Sequence, residues 1–315
     1  ERVVIYSISM LGDVGTAMSK AFKDRYGISL EIITSRGAEM LQRFATESRT
    51  GQRTGDLMES APSHNIKLKE SGLSVGLLDL PVFQEKDIWR VDPLVADADG
   101  HVLGFAYKGL WPMVNTNLVK PGEEPKSYRD LLQPKWKGKI MVNDPNLSIC
   151  NYNVFYSLID RKLLDESFLQ GFGQQDLQYA IGSRQIVESV VKGQIAIGGC
   201  GNDADISSFA SQGNVPIRPL VMEEGNVFFA TGLTAVQNAP HLNAAKLFVN
   251  WLLSKEGQTV YDRATQVPSV RKDVEDFRLP VLRVEPKRII MMNEADNARD
   301  NKLFADKVLV KLWRK

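Results

Sequence analysis

Strand and helix alternate three times within the first seventy residues, and that alternation limits the chain to a sheet of largely parallel strands with helical crossovers. Val3–Tyr6 reads as the first strand. Asp13 is placed to cap a helix whose Val14, Ala17, Met18, Ala21 and Phe22 share one face, and Gly27 ends it. Ile28–Ile33 is the second strand, and Ser35 is placed to cap a helix that turns Met40, Leu41 and Phe44 inward. Gly55–Met58 is the third strand, followed by a helix around Ser63–Glu70.

A second region of the same kind starts near Gly104. Phe105–Tyr107 and Met113–Asn115 read as extended, Ile140–Val142 as a strand, and a helix is expected from about Ser148. Ser183 is placed to cap a helix with Ile186, Val187, Val190 and Val191, closed by Gly193, and Ile195–Gly198 is the strand after it. Phe228–Val236 is apolar and extended, and is expected to return to the first region. Ala239-Pro240 opens an amphipathic helix with Phe248 and Trp251 inward. Pro280 and Pro286 break the chain before a last helix, roughly Asn293 to Trp313. A chain of 315 residues can build two cores of ordinary size.

Charge narrows the function. Lys and Arg number 39 against 38 Asp and Glu, a formal net charge of +1. That balance lacks the field a nucleic-acid binder needs, so no nucleic acid is expected as a partner. No apolar run approaches the roughly 18 residues of a membrane span. The chain begins directly in a strand, as a secreted protein would after loss of its signal peptide, and as a trimmed cytosolic protein would too. Cys150 and Cys200 either form one disulfide or remain two buried thiols. No CxxC, HExxH or Cys/His cluster occurs, so no structural metal is expected.

The informative residues follow the strands. Ser7 and Ser9 come after the first, Ser35, Arg36 and Gly37 after the second, Ser60 and Ser63 after the third. In the second region Asn146 and Ser148 follow one strand, and Asn202 and Asp203 another. In open α/β sheets ligands lie at the carboxyl ends of strands, where helix N-termini present free N–H groups. The same residue types cap helices with no ligand present, so the set carries more weight than any member. Arg36 and Arg184 either fork onto an anion or stand as solvated charges. Catalysis finds little support: His64, His101 and His241 stand in no triad pattern, and Cys150 has no recognisable base. Gly198-Gly199-Cys200-Gly201 lacks the dinucleotide-binding spacing.

Several segments resemble one known family. They include Val4-Ile5-Tyr6-Ser7, Thr34 through Phe44 with Glu47, and Gly55-Asp56-Leu57. Leu131 through Ile140, with Pro134-Lys135-Trp136-Lys137-Gly138-Lys139 and then Asp144-Pro145, is the most specific. Gly182-Ser183-Arg184 through Gly198, Asn238-Ala239-Pro240, Ala244 through Phe248 and Leu253 through Gln258 complete the set. Together they resemble the iron(III)-type periplasmic solute-binding proteins, family 1 of the extracellular binding proteins.

The resemblance implies an α/β, two-lobed periplasmic binding protein fold of type II. Each lobe would be a mainly parallel sheet flanked by helices, with a hinge of crossing strands. Lobe 1 would span 1–108 with 228–278 returning to it, and lobe 2 would span 109–227 with C-terminal helices in 279–315. It implies a monomer in the periplasm that captures a small-molecule ligand by hinge closure and delivers it to an ABC permease in the inner membrane, with no cofactor and no catalytic residue.

The family's ferric members use a tyrosine pair where this chain has Cys200-Gly201-Asn202-Asp203. Other members of the family, which bind small organic anions through Ser/Thr hydroxyls and helix N-termini, resemble this pattern better, so the resemblance implies a small organic anion, phosphorylated, phosphonate or carboxylate, rather than ferric ion. Ser7, Ser9, Ser35, Arg36, Gly37, Ser60, Asn146, Ser148, Arg184, Asn202 and Asp203 are the expected ligand-binding residues. A ferric or other cation site on the same fold, or a two-lobed biosynthetic enzyme, are the alternatives.

Overall fold

The computed structural model describes residues 1–85, 87–144 and 150–292. The helix expected over 293–313 and the candidate residues Asn146 and Ser148 lie outside the described residues. The chain opens with β1 (Arg2–Ser7), α1 (Gly12–Tyr26), β2 (Ser29–Thr34), α2 (Gly37–Thr50), β3 (Leu57–Ser60), α3 (Pro62–Glu70) and β4 (Ser74–Val75). It continues with β5 (Leu103–Asn115), β6 (Ile140–Asn143), α4 (Cys150–Asp160), α5 (Glu166–Gly173), β7 (Gln178–Ala180), α6 (Ser183–Val191), β8 (Ile197–Asn202) and α7 (Asp203–Ala210). It ends with β9 (Ile217–Pro219), β10 (Asn226–Val236), α8 (Leu242–Leu252), α9 (Lys255–Thr265) and β11 (Ile289–Met291). Two compact units result, one of residues 1–107 with 230–277, the other of the described residues of 108–229 and of 278–292.

In the first unit β1 pairs parallel with both β2 and β3, in register from Arg2 with Ser29 to Ser7 with Thr34. The second half of β10 closes this sheet antiparallel to β3. Tyr6 meets Phe44 edge-on at 5.0 Å, and a Cβ on Gly55 would fall 2.4 Å from the Tyr6 ring, so this position has no room for a side chain. Glu47, at the end of α2, accepts the Tyr6 hydroxyl at 2.9 Å and the Thr54 and Gly55 N–H groups at 3.0 and 3.2 Å. That buried carboxylate fixes the turn entering β3. On the other face Phe22 of α1 packs on Phe248 and Trp251 of α8 at 5.1 and 5.4 Å.

In the second unit β6 lies between β7 and β8, parallel to both, and β5 runs antiparallel to β8. The two extended segments expected at 105–107 and 113–115 are one strand, β5. Its register slips between Trp111 and Met113, at Pro112, which has no N–H for the ladder. Tyr128, Phe168 and Phe172 cluster round Phe155 at 6.1, 5.4 and 5.2 Å.

Three expected helix caps are displaced by one or two residues. The N-cap of α1 is Leu11, with Asp13 in the first turn, where the helix dipole still favours its charge. The N-cap of α2 is Arg36, because β2 continues to Thr34 and leaves Ser35 outside the helix. The N-cap of α6 is Gly182, which puts Ser183 inside the first turn.

Cys150 and Cys200 are joined in a disulfide, with Cα atoms 6.2 Å apart. It fastens the start of α4 to β8 across 50 residues of sequence. Closing a loop of that length removes unfolded-chain entropy equivalent to about 4 kcal/mol. Replacing both cysteines by alanine should lower unfolding stability by up to that amount, read from the midpoint of a urea titration. An unchanged midpoint would show that the bridge does not constrain this unit.

Candidate functional site

Because β1, β2 and β3 are parallel, the loops after them share one edge of the first unit. The Ser35 N–H donates to the Ser7 carbonyl at 3.3 Å, which joins two of these loops directly. Glu59, in β3, dominates the third. It is fully buried, and its carboxylate accepts the Ile8 and Ser9 N–H groups at 2.9 and 3.0 Å, the Ser9 hydroxyl at 2.9 Å and the Ser7 hydroxyl. The Ser7 oxygen also accepts the Met10 N–H at 2.8 Å. The Tyr261 hydroxyl lies 3.3 Å from Ser9, and burial raises its pKa well above the ordinary tyrosine range. The β1–α1 loop is thus organised round a buried carboxylate, and the hydroxyls of Ser7 and Ser9 serve it.

The next loop is more open. Ser35 donates to Glu39 at 3.1 Å, and Glu39 accepts the Arg36 N–H at 3.2 Å. The Arg36 N–H and then the Ser35 hydroxyl hold the Glu39 carboxyl below its usual range. The Arg36 side chain is exposed and makes no ion pair among the described residues. Gly37 is buried at the start of α2, where a Cβ would fall 2.5 Å from His64 Nδ1 and 2.6 Å from Ser60 Oγ. Glycine therefore lets the N-terminus of α2 rest against that of α3. Ser60 is buried, with its hydroxyl 3.4 Å from His64 Nδ1. Burial, with Lys67 nearby, lowers the His64 pKa, so the ring is neutral at pH 7.

In the second unit the parallel β7, β6 and β8 likewise send their loops to one edge. Asn202 caps α7, accepting the Asp205 N–H at 2.9 Å, and its amide donates to Ser183 at 3.0 Å and to Asp205 at 2.8 Å. Ser183 in turn donates to Asp205 at 2.6 Å. Arg184 lies over the Phe209 ring at 5.1 Å and 3.8 Å from Asp205, with most of its side chain in solvent. Asp203 points inward instead. It is fully buried, and its carboxylate accepts the Trp111 indole N–H at 2.6 Å and the Gly109 N–H.

The structure thus brings Ser35, Arg36, Gly37 and Ser60 together in the first unit and Arg184 with Asn202 in the second. Ser7, Ser9 and Asp203 are engaged by buried partners instead. Three participants were not singled out by the sequence, Glu59, Trp111 and Tyr261, and His64 was noted only as standing in no triad. Glu59 carried a signal, a carboxylate inside an otherwise apolar strand, because a buried charge must be paired. Trp111 carried another, since a buried indole N–H needs an acceptor. Among the described residues no three of His, Cys, Asp and Glu converge as a metal cluster.

Residues 67–281 match the pattern of the family described as bacterial extracellular solute-binding protein. A Salmonella typhi periplasmic protein named for 2-aminoethylphosphonate binding is 23% identical, over 86% of this chain and 80% of its own length. Iron-bound HitA from Pseudomonas aeruginosa superposes with a TM-score of 0.78 at 20% identity, covering 98% of this chain and 99% of that one. AfuA from Actinobacillus pleuropneumoniae, a periplasmic binding protein with fructose-6-phosphate bound, superposes with a TM-score of 0.73 at 20% identity, covering 98% of each chain. These two structures share the α/β fold of two-lobed periplasmic binding proteins, and so does this chain.

The interior position of Asp203 has a thermodynamic consequence. Burial pushes its pKa up to about 6 from 3.8, against the opposing pull of the Gly109 N–H, the Trp111 indole, Arg278 and Lys108. Between those two values the native protein holds a proton that the unfolded chain has released, so stability falls as pH rises. Relative to Asp203→Asn, wild-type stability should fall by about 3 kcal/mol between roughly pH 4 and 6 and level off above. Urea unfolding of both proteins across that range checks it. A constant difference would place the carboxylate in a solvated environment.

Proposed function

Because the chain belongs to the bacterial extracellular solute-binding proteins, we propose that it captures a small organic anion in the periplasm and hands it to an ABC permease. The ligand is phosphorylated, a phosphonate or a carboxylate, and hinge closure is the capture step. Family members bind small solutes outside the cytoplasmic membrane and work with ABC permeases. The chain acts as a monomeric binder and performs no chemistry on its ligand. Asn146 and Ser148 belong to the proposed ligand set together with Ser35, Arg36, Gly37, Ser60, Arg184 and Asn202.

The observation that carries this reading is the strand edge of the first unit. There an exposed arginine without an ion pair among the described residues stands at the N-cap of α2, and Gly37 lets a second helix N-terminus approach within contact distance. Free N–H groups at a helix start and a guanidinium fork both favour an anion. Arg184, beside the α7 cap, places a second exposed guanidinium at the strand edge of the other unit. The relatives named for 2-aminoethylphosphonate and solved with fructose-6-phosphate support the same class of ligand. The iron-bound relative supports the alternative.

Calorimetric titration with fructose 6-phosphate, 2-aminoethylphosphonate, succinate and ferric chloride separates the two. One of the anions should bind, with Arg36→Ala weakening it by about tenfold or more and Arg36→Lys recovering part of the loss. Binding of ferric ion alone, unaffected by Arg36→Ala, would overturn the proposal.

A further inference from the structure

Asp203 immediately follows Asn202, the cap residue in the proposed ligand set. Its two hydrogen-bond donors, Gly109 and Trp111, lie on β5 just inside the second unit, which begins at Lys108. The Trp111 ring also meets Phe228 edge-on at 5.8 Å, on β10, two residues before the chain leaves that unit at Ala230. One carboxylate therefore links the first turn of α7 to a tryptophan in contact with both strands on which the chain enters and leaves. Gly109 is part of the arrangement: a Cβ there would fall 2.5 Å from the Trp111 indole nitrogen and 2.9 Å from the Phe228 ring. Lys108 from β5 and Arg278 from the segment entering after α9 are the cations that face the carboxylate. Asp205, on the same helix, is occupied by Ser183 and Asn202.

We propose that Asp203 is a positioning residue, whose ionised carboxylate straps the Asn202 turn to β5 and so makes ligand affinity depend on its protonation. This rests on the anion-binding reading above. An ionised carboxylate accepts from both donors. A neutral carboxyl must place its own O–H and leaves one donor poorly paired, which frees the turn that carries Asn202. Affinity therefore falls as pH drops through the titration of Asp203, although removing the buried charge makes the fold more stable. A purely structural residue would move stability and affinity in the same direction.

The test uses the full chain with 15N-labelled indoles, the Trp111 signal being identified by its loss in Trp111→Phe. That N–H should titrate with a midpoint near 6 in the wild type. The titration should vanish in Asp203→Asn and return in Asp203→Glu. For fructose 6-phosphate, the ratio of Kd values for Asp203→Asn and wild type should be about tenfold at about pH 7.5 and near one at about pH 5, the size of one hydrogen bond. The ratio cancels the ligand's own titration. A Trp111 signal without titration between about pH 5 and 7, or a Kd ratio independent of pH, would overturn the proposal. If fructose 6-phosphate does not bind, the same ratio is read with 2-aminoethylphosphonate or succinate; failure of the wild type to bind any of the three sinks the ligand reading alone, and the Trp111 titration then decides the strap. If Asp203→Asn does not fold, the wild-type titration decides it in the same way.

Discussion

The direction of three neighbouring strands in each unit is the constraint on which the rest depends. A parallel strand can be followed by another only through a crossover, and each crossover here contains one or two helices, the first of which follows the carboxyl end of its strand. That edge collects helix N-termini, with their unpaired N–H groups, whether or not a ligand is present. Composition of the loops then decides what the edge can hold. In each unit the loops there carry hydroxyl or amide side chains and an exposed arginine, groups that favour an anion.

Buried carboxylates compete for the same donors. Glu59 takes the hydroxyls and N–H groups of the β1–α1 loop, and Asp203 takes a strand N–H and an indole. Each is a polar group inside a core, accommodated there because its partners are complete. The two groups differ in which side chains they occupy. Glu59 makes a rigid loop at the cost of using Ser7 and Ser9 as its ligands. Asp203 takes none of the side chains of its loop and leaves the half-buried Asn202 to Ser183 and Asp205.

Most of the architecture was legible in the sequence because strands and helices there differ in period, and the apolar faces of α1, α2, α6 and α8 are well marked. The caps were less legible. Leu11, Arg36 and Gly182 occupy cap positions that Asp13, Ser35 and Ser183 suit better chemically, because the length of each preceding strand decides where the helix begins. The pairing of Cys150 with Cys200 could not be decided from spacing alone, since a bridge depends on Cα separation in the fold. Which serines would face inward was illegible for a related reason. Ser7 and Ser35 follow similar strands, and only the arrival of Glu59 from a third strand distinguishes them.

The central claim is that the strand-edge loops hold an organic anion, and mass spectrometry of the freshly purified full chain under native conditions tests it most directly. A solute carried through purification adds its mass to the protein and is released for identification on denaturation. The account predicts a phosphate ester, phosphonate or carboxylate. A mass increment of bound iron with no accompanying organic molecule would contradict it.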